Sequence, residues 1–478
     1  MTTRLIAFLE THVAKTAWLG GMLLLAWGLV LSRGGMLHPE AESFLPHYLE
    51  PSRSPASLVL DPAANDFGMY QARELSYLID WLDCRFMAFC AKHGTPHFLS
   101  LSHFVFALAG AVLLWGLAVR LGLSRAAGAV LALLFLSTPM VLLGGDYFRS
   151  AKSGATLALL ASVFLYAGLA HPARSGRGLF VARLTGFGCA VLLCGLFDRQ
   201  GVFFGLIACI LQGLRVLARP TRQEFAILAT LAGAAGLLVA NNRLIAPALI
   251  DWTNGYRPTR DFQNFLPGNL VEWRASASLV FFHGPVLALK YAGAALGALP
   301  WPLIGLGVLG HATKVLADGS SESGNRARIV GLWPFWLTLL LMTMTALMAL
   351  RIPSLLLPEL TAHYYSLPTA AIGCVVLAAL AAGWPVETRR FALVVGLALT
   401  AANLLQLHDH RQRQHRGIYA AAYDRAPHLL AALHAAPSSG TAKERNGAVA
   451  AALPANTGPA ATAAVLALLG TDKEPSTP

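Results

Sequence analysis

The first pattern in this chain with chemical content is an acid set just ahead of a basic and aromatic run. Asp66 is followed by Gly68, and then Tyr70, Arg73, Tyr77 and Asp80 come at spacings of three, four and three. Those spacings share one face of a helix, so the stretch predicts a helix from about Tyr70 to Ala91. An ionised carboxylate beside such a face can take a proton from a hydroxyl. Gly68 permits close backbone approach, and a helix starting near Met69 aims its positive end at the acid. The plainer reading makes Asp66 a solvated loop acid, with Arg73 pairing to Asp80 or Glu74 along the helix surface.

Three more groups carry charge where chemistry could use it. Arg149 and Lys152 stand three apart, with Asp146 just before them. Turned to one side, they form a phosphate-binding pair; otherwise they snorkel to lipid headgroups. Asp198-Arg199-Gln200 is a charged turn between two apolar runs. It either pairs with itself and caps helix ends or joins an ionic site. Arg351, His363, Tyr364 and Tyr365 form the last group. His363 can donate to a phosphate or a sugar hydroxyl, while tyrosines beside a span also serve as membrane anchors. His408, Asp409, His410 and His415 lack helical ligand spacing and are not assigned a metal.

The elements that must position these residues are membrane helices. The chain has 478 residues, of which 56% are hydrophobic and 13% charged. A soluble domain carries about 25% charge, roughly twice as much. Continuous apolar runs near the length of a bilayer crossing predict an all-α polytopic membrane protein, and they argue against an alternating β-barrel. Eleven spans can be drawn, including ones at 16–32, 99–119, 126–144, 184–197, 224–241, 292–310 and 329–350. The short loops holding Arg120 and Arg125, Arg177 and Arg183, Arg215 and Arg222, and Arg389 and Arg390 then all fall on one side. By the positive-inside rule that side is cytoplasmic.

The N-terminus is then inside as an uncleaved signal anchor, and the C-terminus is outside. Asp66, Asp146, Arg149, Lys152, Asp198, Arg199, Arg351 and His363 all collect on the outer, periplasmic face. A membrane module of residues 1–407 results, with a first outer loop at 33–100 and a second at 241–291. A short helical extension at 408–436 and a disordered tail at 437–478 follow. The net charge of +12 belongs to the cytoplasmic loops and not to a nucleic-acid partner, since no basic run is interleaved with aromatics. Cys84 and Cys90 are too far apart on one helix to bridge, and the other cysteines sit in apolar spans as small core residues.

This layout resembles the GT-C superfamily of polyprenyl-phosphate-sugar-dependent membrane glycosyltransferases. Asn65-Asp66 followed by Arg73-Glu74-Leu75-Ser76-Tyr77 is similar to the acid-then-Arg-Pro-Leu element of the bacterial O-antigen glucosyltransferase-like members. Glu74 stands where that element has proline, and a single acid stands where many members have a pair. The resemblance implies about eleven transmembrane helices with periplasmic loop helices. It makes Asp66 the base that activates an acceptor hydroxyl on a glycan, lipid or protein. Arg149, Lys152, Arg199 and Arg351 become partners of the donor phosphate, and Tyr70, Arg73, Asp146, Asp198, His363 and Tyr364 bind or orient substrate. No cofactor is assigned with certainty, and a divalent metal is allowed.

The expectation is therefore an inner-membrane hexosyl- or pentosyltransferase of the cell envelope, serving polysaccharide biosynthesis. A lipid-linked glycan polymerase or ligase is one rival, and it would not need Asp66 where it stands. A transporter or flippase is a second, and a non-catalytic assembly subunit a third. Transporters place polar groups at the bilayer midplane, whereas this chain puts them at helix ends.

Overall fold

The computed structural model describes residues 34–61, 69–70, 73–145, 149–169, 177–198, 200–255, 259–260, 367–405, 420–437 and 441–470, with residues 20 and 27. The predicted spans at 292–310 and 329–350, and most of 16–32 with the signal anchor, lie outside them. The described architecture is all-α and of multi-span membrane type. Five of its helices are long and apolar enough to cross a bilayer. The exception to helix is one two-residue parallel pair, β1 (Met69–Tyr70) with β2 (Thr259–Arg260).

Three helices precede the first described span: α1 (Pro39–Leu49), α2 (Pro55–Val59) and α3 (Glu74–Lys92). The helix predicted from Tyr70 thus begins four residues later. Met69 and Tyr70 are in strand, so Tyr70 is not on a helical face with Arg73, Tyr77 and Asp80. The local reason is the pairing of Tyr70 with Arg260, a long-range contact that no local periodicity reports. Cys84 and Cys90 both lie on α3, unbridged.

The bundle opens with α4 (Leu101–Arg120), which turns at Gly122 (φ 88°) into α5 (Arg125–Leu136). Ser124 caps α5 by accepting the Ala127 N–H. The span predicted at 126–144 is two helices, α5 and α6 (Pro139–Gly144). Pro139 has no N–H to give and disfavours helical geometry at Thr138, so the helix stops there. The Ser137 and Thr138 hydroxyls fold back onto the carbonyls of Leu134 and Phe135.

Next come α7 (Ala151–Leu169), α8 (Arg177–Phe197), α9 (Gln200–Ala218) and α10 (Arg222–Ala240). Helix α8 starts seven residues ahead of the predicted span at 184. Its first two turns carry Arg177 and Arg183, and the Arg183 guanidinium donates to the Gly168 carbonyl at 3.1 Å. Charge ended the apolar run without ending the helix. Helix α10 does not stop at the predicted loop boundary of 241 either. A π-helical turn (Asn241–Ile245) carries it into α11 (Ala246–Asn254), where Gly255 at φ 71° ends it.

Two further helices, α12 (Leu367–Ala382) and α13 (Val386–Leu405), complete the described bundle, and α12 packs against α4, α5 and α7. Small residues let the helices approach, as where Gly110 and Gly116 of α4 lie against the Leu160 and Phe164 side chains of α7. Outside the bundle, α14 (Ala420–His434), α15 (Ala442–Ala452) and α16 (Pro459–Leu469) fold back onto α1 and α3. Their apolar residues share one core with Phe44, Tyr48, Cys84 and Met87.

The tail expected to be disordered is therefore helical over α15 and α16. Thr441 and Glu444 form a reciprocal capping box at the start of α15. Alanine-rich sequence, read as low complexity, is also the best helix former.

The ends of the bundle differ in chemistry. At one end the Arg120 guanidinium donates to the Phe164 carbonyl at 2.7 Å, and Arg215 pairs with Glu224 at 2.7 Å. At the other end lie the starts of α4 and α7 and the junction of α8 with α9. Among the described residues Arg120, Arg183 and Arg215 thus share the basic end.

Candidate active site

Asp80 sits in the middle of α3 and is 1% exposed. One carboxylate oxygen accepts the Ser150 N–H at 2.8 Å, and the other accepts the Ser76 hydroxyl at 3.2 Å. The Arg149 guanidinium approaches that second oxygen at 4.0 Å. Its other side lies 4.1 Å over the ring of Phe44 from α1. The Ser150 hydroxyl donates to the Ser76 carbonyl at 3.3 Å, closing the link between α3 and the residues leading into α7. Burial pushes the Asp80 carboxyl upward, and Arg149 and the bonds from Ser150 pull it back.

Asp83 lies one turn further along α3. It accepts the Ser100 and Ser102 hydroxyls, each at 2.6 Å, and the Ser102 N–H at 3.2 Å. These bonds fasten α3 to the first turn of α4. Burial nevertheless dominates and pushes its carboxyl up to about 6.

Lys152 stands in the first turn of α7. Its ammonium meets the Asp198 carboxylate at 2.8 Å, with both side chains under 5% exposed. Asp198 ends α8, and the chain reverses there at once: Gly201 donates to the Asp198 carbonyl at 2.8 Å. A Cβ at Gly201 would run into the Cys194 backbone, so only glycine lets α9 leave this closely. The bundle therefore brings two buried cations, three residues apart in sequence, to one end. Each faces a carboxylate from a different element.

Of the residues singled out from sequence, Arg149, Lys152 and Asp198 come together here. Arg73, at the start of α3, lies 5.8 Å over the Tyr77 ring and within electrostatic reach of Asp80. Arg149 and Lys152 are buried, so they do not snorkel to headgroups, and Asp198 pairs with Lys152. Asp66, Asp146, Arg199, Arg351, His363 and Tyr364 lie outside the described residues, and of Tyr70 only the backbone is described. Ser76, Asp83, Ser100, Ser102, Ser150 and Phe44 escaped the sequence reading. Asp83 and Ser76 had a signal, three residues after and four before Asp80 on the same helix; Ser100, Ser102 and Ser150 had none. Among the described residues no three His, Cys, Asp or Glu side chains gather in a way that could hold a metal ion.

One turn inward from Asp198, at Cys194 and Gly201, an apolar cavity of about 460 Å³ opens between α4, α7, α8, α9 and α12. Leu117, Leu159, Leu160, Phe204 and Ile372 line it, and Tyr166, Gln212 and Arg215 stand at its far end. Buried charge one helical turn beyond an apolar cavity is chemistry that suits an amphiphile, anionic head outward and tail inward.

No family model matches this chain, and no curated protein matches it. Among solved structures it is similar to ArnT from Cupriavidus metallidurans bound to undecaprenyl phosphate, over 96% of this chain and 77% of that one. The identity is 14% and the TM-score 0.46, a likeness too faint to transfer any chemistry.

Proposed function

We propose that this chain is a membrane glycosyltransferase that moves a sugar from a polyprenyl-phosphate donor to a hydroxyl acceptor. The observation that carries the reading is the placement of Arg149 and Lys152, buried at one end of the bundle and each facing a carboxylate, with an apolar cavity that begins one helical turn from Asp198. A lipid phosphate needs both parts: cations for the head and an apolar channel for the first part of the tail. The basic ends of the same helices, holding Arg120, Arg183, Arg215 and Arg222, lie opposite. Under the positive-inside rule this charge bias supports a site at the periplasmic face of the inner membrane.

In this reading Asp66 takes the proton from the acceptor hydroxyl. The oxygen bonds to the anomeric carbon with inversion as the carbon–oxygen bond to phosphate breaks, and the electron pair leaves on the phosphate. Arg149 and Lys152, with Arg199 and Arg351, meet the charge that grows on that leaving group. Both described cations already face carboxylates, so the donor phosphate must compete with Asp80 and Asp198 for them. Arg73, Tyr70, Asp146, His363 and Tyr364 are assigned to orienting donor and acceptor.

The test incubates purified protein in lipid with labelled polyprenyl-phosphate sugars and follows transfer or hydrolysis. Turnover that falls at least about a hundredfold in Asp66→Asn supports the base assignment. Turnover that survives Asp66→Asn favours a glycan polymerase or ligase. Movement of labelled lipid across the bilayer without a new glycosidic bond makes the protein a flippase.

A further inference from the structure

Helix α3 turns its buried acids inward and an apolar row outward. Its buried face carries Ser76, Asp80 and Asp83 together with Tyr77, Cys84 and Met87, while Leu82, Phe86 and Phe89 are 49%, 44% and 55% exposed. The three exposed residues follow at spacings of four and three, so they form one stripe. A helix at a protein–water boundary turns such a stripe inward and its acids outward. A lipid surrounding accommodates an outward apolar row with inward acids, and half-buried Arg85 beside the row is placed to snorkel to the headgroups.

The neighbouring element says what covers this stripe. Asp83 takes its hydrogen bonds from Ser100 and Ser102 at the start of α4, and the Phe86 ring lies 5.9 Å from that of His97. The stripe therefore begins beside the first turn of a helix long and apolar enough to span a membrane. That helix has its own exposed row, Val105, Leu108 and Val112, at matching helical spacing. At the far end of α3, Lys92 and His93 are exposed, a polar limit to the apolar face. Phe86 and Phe89 stack at 6.4 Å, presenting one continuous aromatic surface.

We propose that α3 is a membrane-interface helix, with Leu82, Phe86 and Phe89 immersed in the edge of the bilayer hydrocarbon. Its partner is the lipid surface. The helix thereby fixes the depth of Asp80 and Arg149 at the membrane boundary. The proposal does not depend on the chain transferring sugar.

The test places a nitroxide label, one at a time, at Leu82→Cys, Phe86→Cys and Phe89→Cys in the full chain, with Cys90, Cys189 and Cys209 replaced by Ala. Lys92→Cys serves as the reference. In proteoliposomes, collision rates with oxygen, which concentrates in lipid, are compared with those of a water-soluble nickel chelate. The oxygen-to-nickel ratio is expected to be several-fold higher at the three apolar positions than at Lys92. Nickel dominating at Phe86 and Phe89 would overturn the proposal by placing the stripe in water. Low rates with both reagents would overturn it too, by showing protein over the stripe. Should labelling prevent folding, Phe86→Trp gives a second reading: its added fluorescence is quenched by brominated acyl chains if the proposal holds, and unaffected if it does not.

Discussion

Single residues at the candidate site act as pairs, and this decides how substitutions behave. Arg149 is held between Asp80 and Phe44 in a buried setting. Asp80→Ala removes the buried carboxylate that faces Arg149 and accepts from Ser76 and Ser150, and removing one partner of a buried pair costs about 3–5 kcal/mol. A matching fall in thermal stability in detergent is expected, and an unchanged midpoint would show that the pair is not formed. Lys152 and Asp198 make a cleaner test, because they meet at 2.8 Å. Lys152→Met and Asp198→Leu together are expected to cost less than either alone.

Asp83 makes one contribution to the pH dependence. Burial outweighs its bonds to Ser100 and Ser102 and pushes its native carboxyl up to about 6, above the ordinary 3.8. Between those values the native state holds a proton that the unfolded chain has released. The stability that Asp83 contributes is therefore fully present at the acid end and is lost, by up to about 3 kcal/mol, as pH rises through 6. Asp83→Asn is expected to flatten that fall in thermal scans from pH 4 to 7; an unaltered slope would place its origin elsewhere. Asp80 was singled out in the sequence, and Ser76 and Asp83 lie within helical reach of it. Ser100 and Ser150 do not, because a hydroxyl 17 positions from Asp83 and an N–H 70 positions from Asp80 leave no periodic trace.

At the scale of elements, the alternation of basic and mixed loops made the order of helices legible. It did so because charge bias and apolar length are both summed over many residues. What stayed illegible was local. The break at Pro139 split an apolar run that hydropathy alone joins. The basic first turns of α8 and the π-helical continuation of α10 extended helices past their apolar stretches. Glycine contacts give the element-scale prediction. A Cβ at Gly201 meets the backbone of Cys194, which cannot rotate away, whereas Gly213 on the same helix faces open space. Gly201→Ala is expected to abolish a monodisperse folded product in detergent. Gly213→Ala should leave it intact and stabilise α9 by about 0.5–1 kcal/mol, since glycine is the weaker helix former. Equal behaviour of the two variants would mean that α9 leaves α8 by a wider turn.

At the scale of the whole molecule, the chain is a membrane bundle with a small helical cap over one end, and the cap is built from both termini of the described chain. Its core joins Phe44, Leu45 and Tyr48 of α1 and Met87 of α3 to Val465, Leu468 and Leu469 of α16. Asp80 and Asp83 are on the same helix as Met87, so the site inherits its rigidity from packing contributed by residues more than 370 positions away. Sequence alone could not show this, because the alanine-rich stretch has the composition of a linker, and its packing partners are remote. Leu468 is fully buried, and Leu468→Ala is expected to cost about 2–5 kcal/mol through the cavity it leaves. Removing residues 438–478 strips α15 and α16 from the cap and should do more. It exposes the apolar faces of α1 and α3 and loosens the Arg149–Asp80 contact that those helices hold. Protease resistance of the segment 34–92 in lipid measures the outcome. Its loss in the truncated chain, with the bundle helices still protected, is the expected result. Unchanged protection would mean that α1 and α3 are held by the bundle alone.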